Sequence, residues 1–166
     1  NDCLGGNAAL IEARIPVYGT TQTRDLLKER GEAMRKTVLS WITEDSSLMK
    51  RMEREVFLPP DHVFAPDSGL AMACGADSLI LFYPGPAHSI DNIVAWFPQK
   101  KVLFGGCMIL ARDKVGNTSD ADVKEWPNSL ARLSRFPAQW VIPGHGRKFT
   151  PDLLELRNIA TVAELI

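Results

Sequence analysis

Cysteine and histidine are scarce, with three of each among 166 residues. Cys3, Cys74 and Cys107 are an odd set and do not read as a disulfide framework. Basic blocks are missing and the net charge is −1, so nothing points to nucleic acid or to an anionic membrane surface. No apolar run reaches the roughly 18–20 residues that a membrane span needs. The first residues have no signal-peptide pattern. The chain opens Asn1-Asp2-Cys3 without a methionine, which suggests an upstream segment. Internal repeats and low-complexity stretches are absent. So is a Gly-x-Ser-x-Gly elbow, which removes the usual signature of a serine hydrolase of the α/β type.

What remains is ordinary globular material. Hydrophobic residues make up 45% and charged residues 23%, enough for one domain, 1–166, with one sizeable core. A glycine loop, a short helix (8–13) and a strand (16–18) open the chain. Residues 20–56 are dense in Arg, Lys and Glu. Leu26, Leu27, Met34, Val38, Trp41 and Ile42 fall near helical spacing there, as do Leu48, Met49, Met52 and Val56. Two or three amphipathic helices are expected, broken near Gly31 and near Asp45-Ser46-Ser47, with much of the charge on a solvated face. Pro59-Pro60 closes this region. Strands are expected at 62–65, 78–83, 93–97 and 102–109, with Pro98-Gln99-Lys100-Lys101 as a turn. A helix capped at Ser119 or Asp120 follows, with Pro127 inside it or opening a second turn. A short buried strand (139–142) and a last helix from Pro151 complete a mixed α/β (α+β) domain, a sheet covered by helices.

The chemistry concentrates at strand ends. His88 lies in Gly-Pro-Ala-His-Ser just after one apolar strand, and His145 lies in Pro-Gly-His-Gly just after another. Cys107, in Leu-Phe-Gly-Gly-Cys-Met-Ile, ends a third. A cysteine in a strand is usually a small buried hydrophobe, but the paired glycines beside this one point to a tight turn or a close approach. Asp2 adds a carboxylate near another glycine pair. His62, at the start of a strand, reads as a surface or structural residue. Imidazole, thiolate and carboxylate together suit zinc, at ~2.0–2.3 Å from each ligand. Cys107 as a nucleophile with a histidine base is the other chemistry open to this set.

Four segments in order, 85–94 (GPAHSIDNIV), 103–109 (LFGGCMI), 116–127 (GNTSDADVKEWP) and 141–146 (VIPGHG), resemble the metallo-β-lactamases in their broad-spectrum two-zinc subclass. The similarity runs from Asp2 onward over essentially the whole chain. The stretch 20–56 looks like the extended helical insertion of the São Paulo type of carbapenemase. The resemblance implies an αββα sandwich seen as its C-terminal portion. It implies Asp2, Cys107 and His145 as ligands of a second zinc and His88 as a ligand of the first. The two further histidines of the first site would fall upstream of Asn1. A thiolate at Cys107 favours β-lactamase over fold relatives that carry a bridging aspartate there. The expectation is that Asp2, Cys107 and His145 converge at one edge of the sheet, with His88 nearby.

The implied activity is zinc-dependent opening of the β-lactam ring of carbapenems, cephalosporins and penicillins by a metal-bound hydroxide, with Asp2 orienting the nucleophile. Asn117 matches the asparagine that polarises the lactam carbonyl, and it equally suits a turn. Where the family commonly has a carboxylate-gripping lysine, this chain has Leu110. Arg112, or failing it Lys114, is the expected substitute, and a guanidinium would grip a carboxylate bidentately. Asp91 is either a partner to a ligand or a turn cap. The alternatives are a non-catalytic fragment of this fold or another hydrolase built on it. By resemblance the location is periplasmic or secreted. These residues by themselves are expected to bind at most one zinc tightly. A missing N-terminal half or a second copy is expected to cover an apolar sheet face that includes some of Leu79, Leu81, Val94, Trp96 and Leu103.

Overall fold

The computed structural model describes residues 4–41, 47, 49–50, 56–111 and 117–146. The chain divides into two compact units, 1–66 and 67–166. The expected break at 45–47 falls at the edge of the described residues, with only Ser47 among them. The expected helix from Pro151 lies outside them, as do Asp2, Arg112 and Lys114.

In the first unit, helix α1 (Asn7–Glu12) leads to strand β1 (Tyr18–Thr20) and helix α2 (Thr21–Trp41). The strand lies two residues later than the sequence pattern suggests, and Val17 joins it to the segment that opens the next strand. Its N–H donates to the Asp61 carboxylate at 2.7 Å, and its carbonyl accepts the His62 N–H at 3.1 Å. Strand β2 (His62–Phe64) then pairs in parallel with β1, Tyr18 opposite His62. The Thr20 hydroxyl accepts the Thr23 N–H at 3.0 Å and caps α2. Contrary to expectation, α2 runs unbroken through Gly31. A helix tolerates one glycine at a cost of about 1 kcal/mol, and Thr23 and Leu27 anchor its first turns. Its charge is solvated: Arg24–Asp25 and Arg35–Glu32 are surface pairs that stabilise little. His62 is also a surface residue, beside the Asp61 carboxylate and against the Tyr18 ring.

The second unit is built on a five-stranded sheet, in the order β3-β4-β5-β6-β8. Its strands are β3 (Leu70–Cys74), β4 (Asp77–Phe82), β5 (Val94–Phe97), β6 (Val102–Phe104) and β8 (Trp140–Ile142). Strand β3 is not anticipated by the sequence reading. Its hairpin partner β4 pairs with it at Leu70–Leu81, and Gly75, at φ +61°, takes the first of two turn positions, where a tight hairpin calls for glycine. The expected strand 102–109 stops at Phe104, because Gly106 turns at φ +55° into a single 3₁₀ turn, Gly106–Met108. Two short parallel strands follow elsewhere, β7 (Leu110–Ala111) with β9 (His145–Gly146).

Helix α3 (Trp126–Ala131) starts six residues after Asp120 rather than at a Ser119 or Asp120 cap. Asp122 organises this start: its carboxylate accepts the Glu125 N–H and its carbonyl the Trp126 N–H. Pro127 sits in the first turn, where its missing N–H costs nothing. A 3₁₀ turn, Arg132–Arg135, continues the helix. Together they cover one sheet face, burying Val94, Trp96, Leu103, Val141, Trp126, Leu130 and Leu133. Phe136 packs against both Phe82 and Trp96 at 5.4 Å. This corrects the expected exposure of Val94, Trp96 and Leu103, which are buried; on the opposite face Leu81 is also buried and Leu79 half-buried. Register puts Val94, Trp96 and Leu103 under α3. The exposed apolar residues on the opposite face are Phe104 and Trp140. Trp140 also makes the strand expected at 139–142 less buried than its composition suggests. No helix among the described residues is long and apolar enough to cross a membrane.

Candidate functional site

Direction of travel builds the site. Strands β4 and β5 are antiparallel, β5 and β6 are antiparallel, and β6 and β8 are parallel. Hence β4, β6 and β8 all run the same way, and their C-terminal ends share one edge of the sheet. His88 follows β4, Cys107 follows β6 and His145 follows β8. Loops held at strand ends by a rigid sheet are where functional side chains collect. Cys107 does not end its strand, as its sequence suggests. It sits half-buried in the middle of the 3₁₀ turn after β6.

Backbone contacts lock the Cys107 turn to the segment before His145. Gly105 N–H donates to the Ile142 carbonyl at 2.9 Å. Gly144 N–H donates to the Gly106 carbonyl at 2.8 Å and to the Ile109 carbonyl at 3.0 Å. The approach is so close that a Cβ on Gly144 would run into the Gly106 carbonyl and lie 2.8 Å from the Cys107 nitrogen. His145 then pairs with Leu110 in β9–β7. The His88 and His145 rings stand 6.4 Å apart, centre to centre. His88 also meets the buried Trp126 indole nearly at right angles, at 5.7 Å.

The described donors are two imidazoles and a thiol, a set of the kind zinc prefers. Two imidazoles on one tetrahedral zinc would stand about 5 Å apart by ring centre. The observed separation of 6.4 Å is wider than that. Among the described residues, no three His, Cys, Asp or Glu side chains close into a metal-holding group. The implied fourth donor, Asp2, is outside those residues.

The remaining candidates are accounted for locally. Asn117 is exposed, and its side-chain oxygen accepts the Ser119 N–H at 3.0 Å, an Asx turn. The Asp91 carboxylate accepts the Ser89 hydroxyl at 2.8 Å, within the His88 loop. Leu110 is buried in the core, so that position supplies packing and no cation. What the sequence reading missed is the set of residues on and around α3 that grip the His88 loop: Asp122, Trp126, Ser129 and Arg132. The sequence pattern places the helix cap at Ser119 or Asp120, and no local signal names what the helix grips.

The description "Metallo-beta-lactamase superfamily" matches residues 2–145. The chain is 34% identical over 159 residues to a metallo-beta-lactamase type 2 from Bacteroides fragilis, covering 93% of this chain and 53% of that protein. It is 32% identical over 157 residues to one from Pseudomonas aeruginosa, with 93% and 52% covered. Among solved structures, a metallo-beta-lactamase from Pontibacter korlensis is similar with a TM-score of 0.73 and 30% identity, over 98% of this chain and 62% of that one. The DIM-1 metallo-beta-lactamase is similar with a TM-score of 0.66 and 32% identity, over 96% and 62%. The chain thus spans about half the length of the curated relatives it matches.

Proposed function

Because the chain belongs to the metallo-β-lactamase superfamily, we propose that its strand-end loops form part of a zinc site that hydrolyses the amide of β-lactam antibiotics. The observation that carries this reading is the shared sheet edge: His88 and His145 are 6.4 Å apart, and the Cys107 turn is bonded to the residue before His145.

Asp2, Cys107 and His145 would hold one zinc and His88 would contribute to the other. Zinc bound there supplies a Lewis acid and brings the pKa of water towards ~7, so that a nucleophile exists at neutral pH. The rest falls to the chain's own groups. Cys107 gives up its thiol proton on binding. The backbone of its turn is held on both sides, since Gly105 and Gly106 before it and Ile109 after it are each bonded to the segment 142–144. Asp2, as a carboxylate, accepts a hydrogen bond from the attacking water and orients it. Arg112, or failing it Lys114, anchors the substrate carboxylate in place of Leu110. Asn117, once released from its turn, is placed in sequence to donate to the lactam carbonyl. A periplasmic or secreted location goes with this reading, as does a β-lactam as the small-molecule partner.

The test is made in the protein that carries this chain. Cys107→Ser and His145→Ala are each expected to lower zinc content and to cut kcat/KM for a chromogenic cephalosporin by at least about tenfold. Arg112→Ala should raise KM more than it lowers kcat, since a ground-state anchor is removed. Full zinc content with unchanged turnover in both ligand variants overturns the zinc reading. Full zinc content with no turnover in the unsubstituted protein favours a non-catalytic member of the fold.

A further inference from the structure

We propose that Trp126 is a positioning residue that holds the His88 loop and the Cys107 turn in fixed relation to each other; this rests on reading His88 and Cys107 as metal ligands. Trp126 is fully buried at the first position of α3. Its indole Nε1–H donates to the carbonyl of Met108, the residue after Cys107, at 3.0 Å in a buried bond. A 3₁₀ turn has poor internal hydrogen-bond geometry, and here the turn's own bond, Ile109 N–H to the Gly106 carbonyl, is long at 3.4 Å. The bonds to the segment 142–144 hold the turn at Gly105, Gly106 and Ile109, and the indole adds one at Met108, directly after Cys107. The same ring meets the His88 imidazole nearly perpendicularly, a favourable aromatic arrangement.

Neighbours of Trp126 secure the other arm. The segment Pro84–Ala87 contains two prolines and so has few donors of its own. Its carbonyls are met from the far element. Arg132 donates to Pro84 at 2.8 Å, the Ser129 hydroxyl to Pro86 at 2.6 Å, and the Asp122 N–H to Ala87 at 2.9 Å. A displacement of α3 would thus move His88, and through the indole it would move Cys107 as well. A buried indole N–H needs a partner, and the one Trp126 has is the carbonyl beside Cys107. Outer partners of this kind commonly set metal affinity by 10–100-fold.

Cobalt(II) is the probe, loaded in place of zinc in the protein that carries this chain, because thiolate-to-cobalt charge transfer reports Cys107 without reference to turnover. Trp126→Phe keeps a ring against His88 and removes the N–H. It should shift that band and weaken cobalt binding by about tenfold or more. Ser129→Ala, which loosens only the His88 arm, should weaken binding and leave the band in place. Leu133→Ala, a fully buried residue in the same core, should lower the melting temperature and leave band and affinity unchanged. A band and affinity unmoved in folded Trp126→Phe, or moved as far by Leu133→Ala, overturns the proposal. Should Trp126→Phe fail to fold, the indole N–H resonance of Trp126 in the unsubstituted protein decides. It should shift on metal loading, and a fixed resonance overturns the proposal. Absence of any thiolate band in the unsubstituted protein overturns instead the reading of Cys107 as a ligand.

Discussion

At Gly144 a single hydrogen atom in place of a methyl group lets two loops share one bonded junction. Its N–H reaches two carbonyls, Gly106 and Ile109, from a position where any side chain would collide with the Gly106 carbonyl. The obstacle is backbone on both sides, so no rotamer change can relieve it. Gly144→Ala should therefore push the Cys107 turn away from His145. The expected result is a loss of stability of roughly 1–3 kcal/mol, the cost of overpacking, together with weaker zinc binding. Thermal melts and a chelator competition would check this, and an unchanged zinc affinity would show that the junction does not position Cys107. Asn117 illustrates the opposite case, in which a residue expected to face substrate is engaged by its own turn.

Among the elements, the sheet is held in register by turns at the edge opposite the site. Asp77 opens β4, and its carboxylate accepts N–H groups from Ser78 at 2.7 Å, Gln99 at 3.1 Å and Lys100 at 3.3 Å. The Gln99 side chain returns a bond to the Ala76 carbonyl at 2.7 Å. The β3–β4 turn is thereby tied to the β5–β6 turn. Partial burial pushes the Asp77 carboxyl up, but the three N–H donors and the Lys100 charge outweigh it and hold the group below the usual carboxylate range. A folded-state value below the unfolded one means that this stabilisation is complete above pH about 4 and is lost as pH falls through the folded value. Asp77→Ala should thus melt lower than the unsubstituted chain at pH 7, with the gap narrowing at pH 3. A gap that is the same at both pH values would remove the carboxylate from the account.

For the whole molecule, the question is which apolar surface is covered. One face of the sheet is sealed by α3 and Phe136. On the other, Phe104 and Trp140 stand on adjacent strands, each 42% exposed, with Val102 and Ile142 beside them. Apolar neighbours of this kind favour association. Phe104→Ser with Trp140→Ser should reduce self-association in light scattering, with little change in the melting temperature, and unchanged scattering would show the patch to be inert. Several features were legible in residues alone: the mixed α/β class, the strands expected at 62–65, 78–83, 93–97 and 139–142, and the tight turn at the glycine pair before Cys107. Each depends on local spacing and side-chain chemistry, which the chain carries without reference to its fold. The unbroken course of α2 through Gly31 and strand β3 were not legible, because each turns on tertiary contacts that outweigh local preference. The family resemblance leads us to expect Cys107, His145 and His88 at one edge; it is the tertiary structure that makes β4, β6 and β8 run in one direction. Tertiary structure alone decided that the indole of Trp126 is aimed at the carbonyl beside Cys107. Local spacing records how often a side chain is buried; it does not record which strand lies next to which, and that adjacency makes the site.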